Sequence, residues 1–352
     1  MKRFASIIAV AVVALSVAFV PFGDVSAQSS AALSIVPKKN YTIEPGKSIR
    51  DTLTIRNLDS ERTLDLNLSI VDFTFKDDGG TPDLRLAQDA PQTAWSIKPF
   101  VKIPKTVKIP PRGSQTLDMS MTVPKGQGAG SYYSASVYSS GNPEGGNVGL
   151  SASGVTLVFA NVPGTVKEDL ELKKFGIYNQ ASGNSKAKYT NFSINMPENI
   201  AYTLENKGDV AESPVGTITL RHMFGAEYKV DDINSQDSLA LIGQTRTFVT
   251  CVAPKTASDN GAELRSNEVG SCEKPSLLPG FYTASIDAYY GWNGNTTKEL
   301  VGTTWFIYAP LWFIILVIVI ILAIAFAIWN IVSKSKKKRR GARAKKSAAL
   351  RR

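Results

Sequence analysis

The sequence predicts an all-β exterior of two tandem antiparallel sandwiches, followed by one membrane-spanning α-helix. Three observations carry this. Apolar and polar residues alternate with period two through much of residues 28–308, Gly and Pro clusters punctuate those runs, and an uncharged apolar stretch, Leu311–Val332, lies near the C-terminus. Alternation with one wet face belongs to antiparallel sheets; a helix would bring its apolar residues back every three or four positions.

In chain order, Lys2-Arg3, the apolar run Ile7–Val20 and Val25-Ser26-Ala27 form a secretory signal with a small-residue cleavage site. Residues 1–27 are therefore expected to be removed, and the mature chain to start near Gln28. Strands follow where Leu53 and Ile55, then Leu64, Leu66, Leu68 and Ile70, then Leu117, Met119, Met121 and Val123 alternate with polar neighbours. Between them lie Pro45-Gly46, Asp78-Gly79-Gly80, Pro110-Pro111-Arg112-Gly113 and Pro143-Glu144-Gly145-Gly146. Gly supplies positive φ and Pro presets a negative one, so these are turns for steric reasons. Short strands at this spacing predict sandwiches.

A faint repeat divides the exterior. Thr54–Asp59 is echoed by Thr203–Gly208, and Gly130–Val137 by Gly280–Ile286; Asn57 to Tyr133 and Asn206 to Tyr282 are both 76 positions apart, so a shift of 149 aligns both pairs. An Asn ending an early strand can bond local backbone in a turn. A Tyr entering a late strand after Gly suggests the tyrosine corner of Ig-like sandwiches, with its ring buried and its hydroxyl tying down a connection. The domains are accordingly 28–164 and 165–308, divided after Val162-Pro163-Gly164.

Leu311–Val332 is long enough, at 1.5 Å per residue, to cross a hydrocarbon core of roughly 30 Å. Trp312 and Trp329 stand at its two ends, where amphipathic rings anchor at the interface. The tail 333–352 carries eleven Lys or Arg and no acid, beginning Lys334, Lys336, Lys337, Lys338, Arg339 and Arg340. Such a flank stays cytoplasmic, so the expectation is a single-pass type I protein of the cell membrane, its N-terminal domains outside and its C-terminus inside. The tail should attract anionic lipid headgroups, at about 1 kcal/mol per nearby basic residue. The formal charge of +10 resides in the tail and signal, which leaves the rest near −2 and removes any basic nucleic-acid footprint from the exterior.

Catalytic signatures are sparse. His222 is the single histidine, read as an ordinary surface or turn residue. There is no HExxH, nucleophile elbow or phosphate loop, and no cofactor or metal is expected. Asp77–Asp83 offers three carboxylates in seven residues, without the spacing of a Ca²⁺ loop, and reads as a hairpin turn. Cys251 and Cys272 are expected to form one disulfide closing a loop of about 20 residues, worth roughly 3 kcal/mol; two free thiols are the alternative. Tyr289, Tyr290 and Trp292, beside a Gly/Asn turn, are candidate ligand-binding aromatics, against the alternative that at least two of the rings pack in the core. Trp95 is assigned to the core.

The order YTIEPGKSIRDTLTIRNLDSE, DFTFKDDGGTPDL, VKIPPRGSQTLDMSMTVP, GAGSYYSASVY and LVFANVPG, then YTLENKGD, PVGTITL and LLPGFYTASIDAYYG before the anchor, resembles the WxL-interacting proteins of Gram-positive cell surfaces. The resemblance covers nearly the whole mature chain; the Cys251–Cys272 region departs from it as an insertion. It implies a first domain that binds peptidoglycan and a second that faces a surface protein of WxL type or a host ligand. The expectation is a non-catalytic surface protein binding cell-wall glycan and a partner protein. A structural spacer or assembly subunit of an envelope complex is the alternative, and a wall-active enzyme comes third.

Overall fold

The computed structural model describes residues 33–87, 90–140, 153–180, 186–253, 272–291 and 298–349, with helix side chains described to Lys334. The signal segment and Trp292 lie outside the described residues.

The first sandwich contains β1 (Leu33–Ile35), β2 (Lys38–Thr42), β3 (Ser48–Asn57), β4 (Leu64–Val71), the hairpin β5 (Phe73–Phe75) and β6 (Pro82–Leu84), and β7 (Val101–Lys102). It is completed by β8 (Thr106–Ile109), β9 (Ser114–Thr122), β10 (Gly130–Ser139) and β11 (Ser153–Val162). The facing sheets have strand orders β1-β3-β9-β7 and β2-β11-β10-β4-β8. The second sandwich contains β12 (Leu170–Asn179), β13 (Lys188–Thr190), β14 (Phe192–Ser193), β15 (Asn199–Asn206) and β16 (Val215–His222). It continues with β17 (Glu227–Val230), β18 (Thr245–Cys251), β19 (Gly280–Tyr290) and β20 (Lys298–Tyr308). Its orders, β13-β12-β15-β18 and β14-β20-β19-β16-β17, repeat the four-plus-five plan. Among the described residues the fold is all-β, followed by one helix, α1 (Leu311–Ala349).

The alternating runs face inward as expected: Leu53 and Ile55 in β3, Leu64, Leu66 and Leu68 in β4, and Met119 and Met121 in β9 are buried. One pairing per sandwich departs from the antiparallel expectation. β2 runs parallel to β11, and β14 parallel to β20. In both, a strand is interrupted and its continuation joins the other sheet. Pro37, which lacks an N–H to continue the β1 ladder, separates β1 from β2; Asn191 separates β13 from β14.

The two Asn positions play equivalent parts. Asn57 donates to the carbonyls of Arg62 at 2.7 Å, Pro110 at 3.1 Å and Ile109 at 3.2 Å, and accepts from the Asp59 N–H at 2.9 Å. Asn206 donates to Val210 and Ala240 at 2.7 and 2.8 Å and accepts from the Gly208 N–H at 2.9 Å. The tyrosine pairing of the repeat needs correction. The hydroxyl that ties back to the carbonyl four residues upstream belongs to Tyr132 (to Gly128, 3.0 Å) in the first domain and Tyr282 (to Leu278, 2.8 Å) in the second. Tyr133 is adjacent on the strand and so points to the opposite face.

That opposite face is where the domains meet. Phe73, Tyr133, Ala135, Val137 and Phe159 of the first sandwich pack with Leu241 and Ile242 of the second in one buried cluster. Phe73 lies 5.3 Å from Tyr133 and 6.1 Å from Phe159, ring centre to ring centre. Backbone and side-chain bonds seal the rim: Phe75 N–H to Gln244 Oε1 (3.1 Å), Thr247 N–H to Asp78 O (2.5 Å), Ala211 N–H to Ser131 Oγ (3.0 Å) and Lys38 Nζ to Asp237 O (2.8 Å). β10 is therefore buried on both faces, which is why its sequence, GSYYSASVYS, shows no wet alternation.

Candidate functional site: a cleft at the domain junction

The β5–β6 hairpin reaches past its own sandwich. Its turn is held by Asp77, whose carboxylate accepts the Gly79 N–H at 3.0 Å, and by Gly80 at φ 81°. A Cβ on Gly80 would stand 2.6 Å from the Arg246 guanidinium carbon, so glycine serves both the turn and the close approach. The acidic stretch is thus a hairpin, as expected, with an unforeseen role in bridging the domains.

Beneath it lies a cleft of about 410 Å³, walled by Gly79, by Tyr178 and Gln180 of the β12 end, by Arg246–Val249 of β18 and by the loop Ile233–Ser238. That loop is braced by Asn234, which donates to Ser238 O at 2.9 Å and Ser213 Oγ at 3.1 Å and accepts the Ser238 N–H at 3.0 Å. Arg246 lies over Phe75 and Phe248, at 4.8 and 5.3 Å from the ring centres, and donates to Leu239 O at 2.5 Å. Burial lowers its pKa to about 10, so it stays charged at neutral pH, and no carboxylate among the described residues ion-pairs with it. Tyr178 packs edge-on against Tyr189, 5.1 Å away, and also borders a second open hollow with Asn195, Glu198, Asn199 and Lys274. A tyrosine, several amides and one desolvated cation suit recognition of polar or anionic groups. Among the described residues no set of three or more His, Cys, Asp or Glu is placed to hold a metal ion.

The aromatic candidates separate. Tyr289 is 42% exposed, on the outward face of β19. Tyr290 is 6% exposed and belongs to the second core, its hydroxyl accepting the Leu170 N–H at 3.2 Å. Its assignment as a ligand contact is therefore corrected: neighbours on a strand face opposite ways, so only one of the pair can be outside. His222 sits at a turn but is buried, its Nε2 3.3 Å from Pro279 O and its ring 4.8 Å from Tyr282, which corrects the surface reading. Trp95 is partly buried against the junction cluster. Cys251 and Cys272 form the disulfide, with Cα atoms 5.3 Å apart, which removes the free-thiol alternative. Leu311–Lys334 is long and apolar enough to cross a membrane, and none of it is buried against the sandwiches. Trp312 and Trp329 are exposed on it, about 25 Å apart along the axis at 1.5 Å per residue. Lys334 is exposed; Lys336, Lys337, Lys338, Arg339 and Arg340 continue the helical backbone, with side chains outside the described set.

The cleft was invisible in sequence because its walls come from segments some 170 positions apart. The one available signal was the missing wet face of β10, which marks a strand covered twice.

No family model matches the chain, and no curated protein does. Solved structures similar to it include the class 5 fimbriae chaperone CfaA, with TM-score 0.36 and 11% identity over 80% of this chain and 100% of that one. The E. coli chaperone DraB has TM-score 0.31 and 12% identity over 77% and 98%. The ASH/PapD-like domain of human CEP192 has TM-score 0.26 and 14% identity over 39% and 88%.

Proposed function

We propose that this chain is a membrane-tethered, non-catalytic binding protein of the cell surface, with its sandwiches outside and its basic tail inside against anionic headgroups. The junction cleft carries the reading. Arg246, which no carboxylate among the described residues ion-pairs, stands beside Tyr178, Gln180, Asn234 and Gln236 and offers a charge, a flat ring and amides to a ligand bearing hydroxyls and carboxylates. Cell-wall glycan with its acidic peptide stems has that chemistry, in keeping with the resemblance to WxL-interacting proteins, and a partner surface protein would complete the assembly.

The test is co-sedimentation of the detergent-solubilised full chain with purified peptidoglycan, with crosslinking to envelope proteins in parallel. Tyr178→Ala should weaken wall binding roughly tenfold, the equivalent of about 1.4 kcal/mol. Unchanged sedimentation of the variant would remove the cleft from the reading, and no sedimentation of the parent with no crosslinked protein would end it. The spacer reading also has support of its own: the apolar weld makes the two sandwiches one stiff strut. Docking of the second sandwich against a neighbouring membrane span in a co-purified complex, without wall binding, would favour it.

A further inference from the structure

The second sandwich runs into α1 without slack. Tyr308, Ala309 and Pro310 are all buried, and the Ala309 N–H donates to Ser193 O at 2.9 Å. The Phe313 and Ile314 N–H groups bond the Pro310 carbonyl at 2.9 and 3.1 Å, starting the helix at once. Strand register shows what else shares this end: Gly280 pairs with Tyr308, Phe192 with Ile307, and His222 with Tyr282. At no more than about 3.5 Å per extended residue, Tyr308 is held within roughly 10 Å of Leu311, and the ends of β19 and β16 follow at about 5 Å per strand across the sheet.

That end is apolar. In the turn after β16, Phe224 is 81% and Met223 57% exposed, and Leu278, just before β19, is 54% exposed. On the outward sheet face Phe281 stacks on Trp305 at 5.9 Å, with Phe192 also exposed on the adjacent strand. Moving away from the helix, the outward residues of β19 read Phe281, Thr283, Ser285, Asp287, Tyr289, and those of β20 read Trp305, Thr303, Val301, Glu299. The face thus changes from a stacked Phe–Trp pair, through mostly hydroxyl positions, to the carboxylates Asp287 and Glu299 with the phenol of Tyr289 between them. The nearby charges Arg221 and Glu227 pair with each other at 2.5 Å. Single exposed apolar residues are ordinary, but these come from separate segments and converge on the one edge continuous with the membrane helix.

We propose that this rim is a membrane-seated foot: the Met223–Phe224 turn, Leu278 and the Phe281–Trp305 pair sit in the headgroup–acyl boundary of the bilayer that α1 crosses. The proposal rests on reading Leu311–Lys334 as a span. The aromatic end matches the interfacial preference of Trp and Phe, and the depth gradient along the sheet matches the change from acyl chain to water. With the bonded junction, the foot fixes the tilt of the second sandwich and makes the welded pair stand off the membrane.

The test uses the full chain in nanodiscs of phosphatidylcholine and phosphatidylglycerol, spin-labelled at one introduced cysteine without reductant, so that Cys251–Cys272 stays closed. F224C, L278C, E299C and I320C are compared by collision with oxygen, which partitions into lipid, and with a water-soluble nickel chelate. The oxygen-to-nickel ratio should exceed one at positions 224, 278 and 320 and fall below one at 299. A lipid signature at 320 with water exposure at 224 and 278 overturns the foot and leaves the span standing. Water exposure at 320 overturns the span and the foot with it. Shielding of 224 and 278 from both agents overturns the foot in favour of a protein partner or a second copy on this rim.

Discussion

Replacing Glu212 with Gln should raise stability above neutral pH and leave it unchanged in acid. Glu212 is 2% exposed; Oε2 accepts the Gly291 N–H at 3.1 Å, while Oε1 has no hydrogen-bond partner among the described residues. Burial, and secondarily the charge of Glu168, push its pKa up from 4.5 to about 7. Between those two values the unfolded chain has lost the proton and the folded chain keeps it. The folded state then binds more protons, so stability falls as pH rises from about 4.5 to about 7, and stays lowered above that. At 1.36 kcal/mol per pH unit the loss is about 3 kcal/mol. Gln keeps the acceptor for Gly291 and carries no charge. E212Q should therefore match the parent at pH 4 and exceed it by about 3 kcal/mol at pH 8, roughly 6–12 °C in Tm for a domain of this size. Thermal and urea unfolding of the full chain in detergent, followed by tryptophan fluorescence from pH 4 to 8, reads this directly. Stability curves of parent and variant that run parallel with pH, or a variant less stable at pH 8, would refute the reasoning.

Other outcomes follow from the same packing. Leu241→Ala removes a fully buried side chain that the second sandwich lends to the junction cluster. It should cost about 2–5 kcal/mol and split a single unfolding transition into two, as seen by calorimetry; a single unshifted transition would deny the weld. Asn206→Ala orphans the Val210 carbonyl and the Gly208 N–H, leaves the Ala240 carbonyl with only the Glu212 N–H at 3.2 Å, and should cost about 3 kcal/mol in urea unfolding, with Asn57→Ala close behind. Reducing Cys251–Cys272 should lower stability by about 3 kcal/mol, and alkylation should add two groups by intact mass only after reductant. Alkylation without reductant would count against the bond.

Much of this chain was legible in its sequence because the interactions responsible are local. A strand with one wet face writes its burial into every second residue, a Gly-Gly or Pro-Gly pair writes a turn, and twenty-two uncharged residues write a helix that lipid can accept. Asn57 and Asn206 were legible through the local half of their bonds, to Arg62 and Asp59 and to Val210 and Gly208; their bonds to Ile109, Pro110 and Ala240 reach 34 to 53 positions away. The disulfide was legible as arithmetic, since Cys251 and Cys272 are the only cysteines. Period two also divides neighbours, and a phase one residue out assigns to Tyr133 the corner that Tyr132 makes.

Tertiary structure alone decided the rest, because those interactions join residues that no local pattern relates. Strand phase put Tyr290 in the core and left Tyr289 outside. His222 became buried because Pro279 and Tyr282 close over it from segments some 60 positions away. The parallel pairings of β2 and β14 depend on which sheet edge is free when the chain crosses. The junction cleft exists because a hairpin from the first sandwich lands on β18 of the second, where Gly80 leaves room for Arg246. The sequence by itself determined two sandwiches and a long apolar helix; only packing determined that the sandwiches are welded, where a cleft opens between them, and which end carries the apolar rim beside that helix.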